Sequence, residues 1–195
     1  MKENLYDLLS EIEKSKVIIK SYKADQIIFH EQDKCEYISI VKKGHIKISS
    51  YTYNGNEIVY RDLIDNDIFG NNLIFSSYPY YRGNVISKTD STIYFISKKE
   101  LLNILKNNDE FLISFLRREA DGYMELNQTI KVLSFENLEE RFLYFLEVNN
   151  KKVEFSSITS LSSKLRVRRE SLSRLISKLV KEGRIIKKDH LLILK

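Results

Sequence analysis

The spacing of apolar and polar residues changes character along this chain, and each change marks a different kind of element. Residues 1 to about 20 open with Leu5, Leu8, Leu9 and Ile12 at helical spacing, which predicts an amphipathic helix. From Asp25 to Ile96 the texture shortens to the runs QIIFH, YISIVKKG, HIKISSYT, EIVYRDL, GNVISK and STIYFIS. Every second residue is apolar in His45-Ile46-Lys47-Ile48-Ser49, the period of a strand with one covered face. Gly44, Asn54-Gly55 and the stretch from Asp67 to Gly70 punctuate these runs as turns. Many short strands in succession predict a small antiparallel barrel or roll. Lys98 to Lys106 then reads as a short helix with Leu101, Leu102 and Leu105 inward.

Past Asp109 the period lengthens. Roughly Asp109 to Leu133 predicts a long helix on which Leu112, Leu116, Glu119, Tyr123, Leu126, Ile130 and Leu133 alternate at spacings of four and three, a heptad seam. Two helices joined along that seam would make a homodimer, with Glu119 and Gly122 weakening its middle. The alternative is that the stripe packs against its own β domain. Asn137 to Val148 forms another amphipathic helix through Leu138, Phe142, Leu143, Phe145 and Leu146.

The last part of the chain carries the functional signal. A short apolar-periodic segment (Leu161, Leu165) is followed by a turn around Arg166 and Val167, then by a helix from about Arg168 to Glu182. Leu172, Leu175, Ile176, Leu179 and Val180 bury one face of it. The other face carries Arg168, Arg169, Glu170, Ser171, Ser173, Arg174, Lys178 and Lys181. Gly183 stands where a helix-terminating glycine belongs. Arg184 to Lys195 alternates around Asp189-His190 as a β-hairpin wing. The pattern is that of a winged helix-turn-helix, whose second helix enters a major groove of DNA.

Charge sharpens this reading. From Ser134 to Lys195 there are 14 Lys+Arg against 8 Asp+Glu, whereas the first 133 residues hold 18 against 19. From Lys164 onward 11 basic residues face 3 acidic ones, a net of +8 in 32 residues. A basic module on a nearly neutral body is the footprint of phosphate binding, although a Lys/Arg run alone can be a solvated helix face. With 195 residues, 43% of them hydrophobic, the chain can fill two modest cores. No apolar run approaches the ~20 residues that span a bilayer, and no signal-peptide core opens the chain, so a cytoplasmic, non-membrane protein is expected. The single Cys35 excludes an intrachain disulfide framework, and the scattered His30, His45 and His190 show no metal-ligand spacing. No nucleophile–base set or glycine-rich phosphate loop appears, so an enzyme is the least supported class.

A β-roll, a long helix and a winged helix-turn-helix in this order resemble the catabolite-activator/fumarate-nitrate-regulator (CRP/FNR) family of bacterial transcription factors. The resemblance covers nearly the whole chain. It rests on Gln26-Ile27-Ile28-Phe29, Tyr37 to Gly44, Gly55, Asp67-Ile68-Phe69-Gly70 with Leu73-Ile74-Phe75, Leu161 to Val167, and Arg169-Glu170-Ser171-Leu172-Ser173-Arg174. It implies an α+β chain: an antiparallel roll of the cyclic-nucleotide-binding jelly-roll type over 1–108, a dimerisation helix over 109–135 and a DNA-binding domain over 136–195.

By the same resemblance Arg169, Glu170, Ser173 and Arg174 read bases of double-stranded DNA, on a two-fold operator with TGA-containing half-sites. Arg suits guanine O6 and N7, and Glu suits cytosine N4. Arg168, Lys178, Lys187 and Lys188 would hold phosphates. RNA polymerase would be a further partner if the protein activates. Two departures stand out: Arg166 replaces the usual turn glycine, and Arg168 replaces the usual Ser or Thr cap.

An effector pocket would involve Asn71, Asn72, Arg82, Gly83, Leu126 and Asn127. Cyclic-AMP-binding relatives carry a Glu where this chain has Asn71 and an Arg-Ser pair near Arg82-Gly83. The missing carboxylate and hydroxyl argue against cyclic AMP; a cyclic nucleotide, another anionic metabolite or no effector at all stay open, and no cofactor is implied. Cys35 reads as a small buried hydrophobe rather than a redox sensor. A different class of function stays in view: a ligand-binding roll whose basic tail meets a protein partner, which would lack steeply salt-dependent DNA binding.

Overall fold

The computed structural model describes residues 4–195. The expected opening helix is a single turn, α1 (Glu11–Lys14), and strand β1 (Ile18–Tyr22) occupies the end of the stretch read as helical. Ser10 and Glu13 start the turn by capping each other's backbone amides. Val17, Ile18 and Ile19 end it, because successive β-branched side chains crowd a helix and suit a strand. Leu5 and Leu9 are buried all the same. The part of that expectation on residues 1–3 lies outside the described residues.

The roll is built from β1, β2 (Ile27–Phe29), β3 (Tyr37–Lys43), β4 (Ile46–Tyr51), β5 (Glu57–Leu63), β6 (Ile68–Phe69), the one-turn α2 (Asn71–Ile74), β7 (Asn84–Ser87) and β8 (Ser91–Ser97). These form two antiparallel four-stranded sheets, ordered β1-β8-β3-β6 and β2-β7-β4-β5. Cross-strand pairs such as Ile38–Ile96 and Ile40–Tyr94 fix the register. Aromatic rings fill the interior: Phe29 stacks on Tyr81 at 4.7 Å and meets Phe69 and Phe95 edge-on.

Helix α3 (Lys98–Asn107), capped by Ser97, and the start of α4 (Asp109–Ser134) close the roll, with Phe111 and Phe115 of α4 in its core. The chain divides into two compact units, Met1–Ala120 and Asp121–Lys195, so the boundary falls inside α4 rather than at either end of it.

The second unit continues with α5 (Leu138–Val148), β9 (Lys152–Glu154), α6 (Ile158–Lys164), α7 (Arg169–Lys181), β10 (Ile185–Lys188) and β11 (Leu191–Leu194). Its core is Val132, Phe142, Leu146, Val153, Leu161, Leu165, Leu172, Ile176, Leu179, Ile185 and Leu192. The predicted wing hairpin is present and gains a third strand, β9, paired to β11. Asn150 and Lys151, both at positive φ, turn the chain into that strand.

Candidate nucleic-acid interface

The turn between α6 and α7 sets the geometry of α7. Arg166 takes the left-handed conformation (φ +55°) that a glycine would adopt freely, at a cost of about 1 kcal/mol. A double hydrogen bond closes the turn around it: the Val167 amide donates to the Ser162 carbonyl at 3.0 Å and the Arg166 amide to Ser163 at 3.2 Å. Arg141 of α5 adds a third support. Its guanidinium donates to the Leu165 carbonyl at 3.1 Å and to the Phe135 carbonyl at 2.9 Å, tying the end of α6 to the residue after α4. The sequence reading missed Arg141; a lone basic residue beside the apolar face of α5 was its only signal.

Helix α7 begins one residue after Arg168, whose extended backbone occupies the cap position with no side-chain hydrogen bond, since arginine offers no acceptor. Leu172, Ile176 and Leu179 are buried, and that burial turns Arg169, Glu170, Ser173 and Arg174 outward together. Ser173 and Ser177 share a cleft of about 350 Å³ with Lys187 of β10, walled by Ile158, Ile176 and Val180. Lys187 and Lys188 are both exposed on the wing.

Lys178 differs from the expectation of a cation waiting for phosphate. Its ammonium lies 2.8 Å from a Glu139 carboxylate oxygen and 3.8 Å from Glu182. Glu139 also takes Arg184, and the two cations hold its carboxyl below the usual carboxylate range. Glu139 was not legible as a partner, because it lies 39 residues from Lys178.

On α4 the predicted seam is a solvent-facing stripe. Leu116, Tyr123, Leu126 and Ile130 are 52%, 65%, 56% and 57% exposed, and Leu112 and Leu133 are half-buried. Phe111, Phe115 and Val132 turn inward instead. Glu119, the polar member, accepts a hydrogen bond from the Asn71 side-chain amide.

The effector residues fare differently from one another. Gly70 (φ +80°) delivers Asn71, whose side-chain carbonyl is buried without a partner. A Cβ at Gly70 would stand 2.6 Å from the Tyr37 carbonyl, so glycine alone fits. Asn72 is exposed. Arg82, expected at the effector pocket, lies exposed with its guanidinium 4.5 Å over the Tyr78 ring, a cation–π contact. Gly83 is buried. Leu126 and Asn127 are exposed on α4 in the second unit.

Cys35 is buried, with its sulfur 3.7 Å from the Tyr81 hydroxyl and 3.4 Å from the Tyr37 carbonyl, and burial pushes its thiol above the ordinary range. The native protein should therefore react with a thiol-specific disulfide reagent at least about tenfold more slowly than the unfolded chain. Equal rates in a stopped-flow absorbance trace would contradict this. No group of residues suited to a metal ion occurs among the described residues, and no helix there is long and apolar enough to cross a membrane.

A β-roll capped by helices is followed by a winged helix-turn-helix whose second helix presents an exposed basic face. Residues 19–108 match the family model for the cyclic nucleotide-binding domain. The whole chain has the fold of the CRP/FNR family that its sequence resembles. A CooA double mutant from Carboxydothermus hydrogenoformans is similar at 18% identity and TM-score 0.75, over 100% of this chain and 93% of that one. FixK2 from Bradyrhizobium japonicum shares 18% identity at TM-score 0.62, over 92% of each chain. The catabolite activator protein of Thermus thermophilus shares 17% at TM-score 0.58, over 99% of this chain and 94% of that one. No protein of curated function matches the sequence significantly.

Proposed function

We propose that this chain is a non-enzymatic, sequence-specific DNA-binding regulator of transcription, acting as a homodimer on a two-fold operator with TGA-containing half-sites. The observation that carries the proposal is the outward cluster Arg169, Glu170, Ser173 and Arg174 on α7, above a segment of net charge +8. Arginine and glutamate side by side offer both a donor fork for guanine and an acceptor for cytosine. Lys187 and Lys188, with Arg168, supply phosphate contacts that fix register. The apolar stripe on α4 supports pairing with a second copy. It is exposed in one subunit and its period is that of a two-stranded seam.

An effector, where one acts, would meet the roll at the residues that the resemblance names. Asn71 brings no carboxylate to that roll, Gly83 brings no hydroxyl, and Arg82 is stacked on Tyr78. Those three facts weigh against cyclic AMP as the effector. Whatever its chemistry, it would act by shifting the balance between DNA-competent and incompetent states.

The test is R174A against an operator obtained by selection from a random duplex pool. It should cost on the order of 1–3 kcal/mol and relax preference at one base position. Uniform weakening on all sequences would instead make Arg174 a backbone contact and remove the base-reading assignment.

A further inference from the structure

We infer that Glu139 competes internally with the DNA backbone: it holds Lys178 and Arg184 where phosphate oxygens would otherwise take them. The inference rests on the proposed reading of α7 as a DNA-recognition helix. Glu139 lies in the first turn of α5, two residues after the cap Asn137. One carboxylate oxygen accepts from Lys178 at 2.8 Å and the other from Arg184. Lys178 lies one helical turn beyond Arg174, and Arg184 leads into β10, the strand that carries Lys187 and Lys188. The carboxylate thus sits between the end of the reading helix and the root of the wing.

The pairing is selective. Of the 11 basic residues from Lys164 onward, Lys178 and Arg184 are the two that make ion pairs among the described residues. Glu182 lies near both, at 3.8 Å and 3.6 Å, so the four side chains form a cluster without net charge. The other basic side chains of that segment carry no such counter-ion. A carboxylate that presents one oxygen to each of two cations copies the geometry of a phosphodiester. Lys178, Arg184 and Glu139 keep 56%, 44% and 26% of their side-chain surface in solvent. Ion pairs this exposed are weak enough for a polyanion to displace. The displaced carboxylate then repels the DNA that replaced it, which lowers affinity equally for every sequence.

The experiment compares E139Q with E140Q in full-length protein, using the selected operator and a scrambled duplex of equal length over a range of salt. Glu140 is exposed in the same helical turn and makes no ion pair among the described residues, so both variants change net charge alike. E139Q should bind both duplexes on the order of fivefold more tightly than E140Q, with a salt slope steeper by about one to two. Lys178→Gln reads the same contact from the other side: affinity for both duplexes falls together and the slope flattens by about one. An E139Q that binds no better than E140Q, or a Lys178→Gln that leaves the slope unchanged, overturns the inference while the unaltered protein still prefers its operator. An unaltered protein with no affinity for any duplex overturns the functional reading itself, and this inference with it.

Discussion

A chain carrying Leu126→Asp with Ile130→Asp is expected to sediment as a single subunit where the unaltered protein, on the proposed reading, sediments as a pair. Its affinity for a two-fold operator should fall by on the order of 10²–10³, because the second reading helix is no longer delivered by the first. Both side chains are more than half exposed in one subunit, so their replacement removes no core contact. Circular dichroism and the melting of each unit should therefore stay as before. The two substitutions would place four carboxylates in one apolar seam, where each loses its water without gaining a cation. Retention of the paired state by sedimentation equilibrium would show that the stripe on α4 is not the subunit contact.

The second large effect concerns the small carboxyl-terminal unit. Phe142→Ala should destabilise it by about 3–5 kcal/mol, the usual cost of emptying a large buried aromatic site. Phe142 is fully buried, one of the eleven core residues of that unit. Domains of this size hold roughly 5–15 kcal/mol in all, so the variant should lose DNA binding near physiological temperature. Calorimetry should show the roll melting where it did before and the other transition moved down or absent. A single transition shifted for the whole chain would mean that the two units unfold as one.

Much of this architecture was readable from residue spacing, and the reasons are local. Helix α7 was expected from Arg168 to Glu182 and runs from Arg169 to Lys181, since its apolar positions and Gly183 lie within the element itself. Helix α4 matched as closely for the same reason. Strand β1 was misread because Leu5, Leu8, Leu9 and Ile12 keep helical spacing up to the point where β-branched residues take over. Strand β9 escaped because three residues gain strand character only through a partner, β11, far along the chain.

The site divides in the same way. Outward direction on α7 followed from which leucines had to be buried. The Glu139–Lys178, Arg141–Leu165 and Asn71–Glu119 contacts join residues 24 to 48 positions apart, and no period in the sequence reports them. The period of the α4 stripe was legible, but its exposure was not. That required knowing that Phe111, Phe115 and Val132 supply the inward side.

Gly83 limits what its corner of the roll can hold. A methyl group added there would stand 2.6 Å from the Ser49 carbonyl and 3.1 Å from the Tyr60 ring. A serine placed there would require the neighbouring strands to separate first. As packed, that corner of the roll leaves no room for a side chain, hydroxyl-bearing or otherwise.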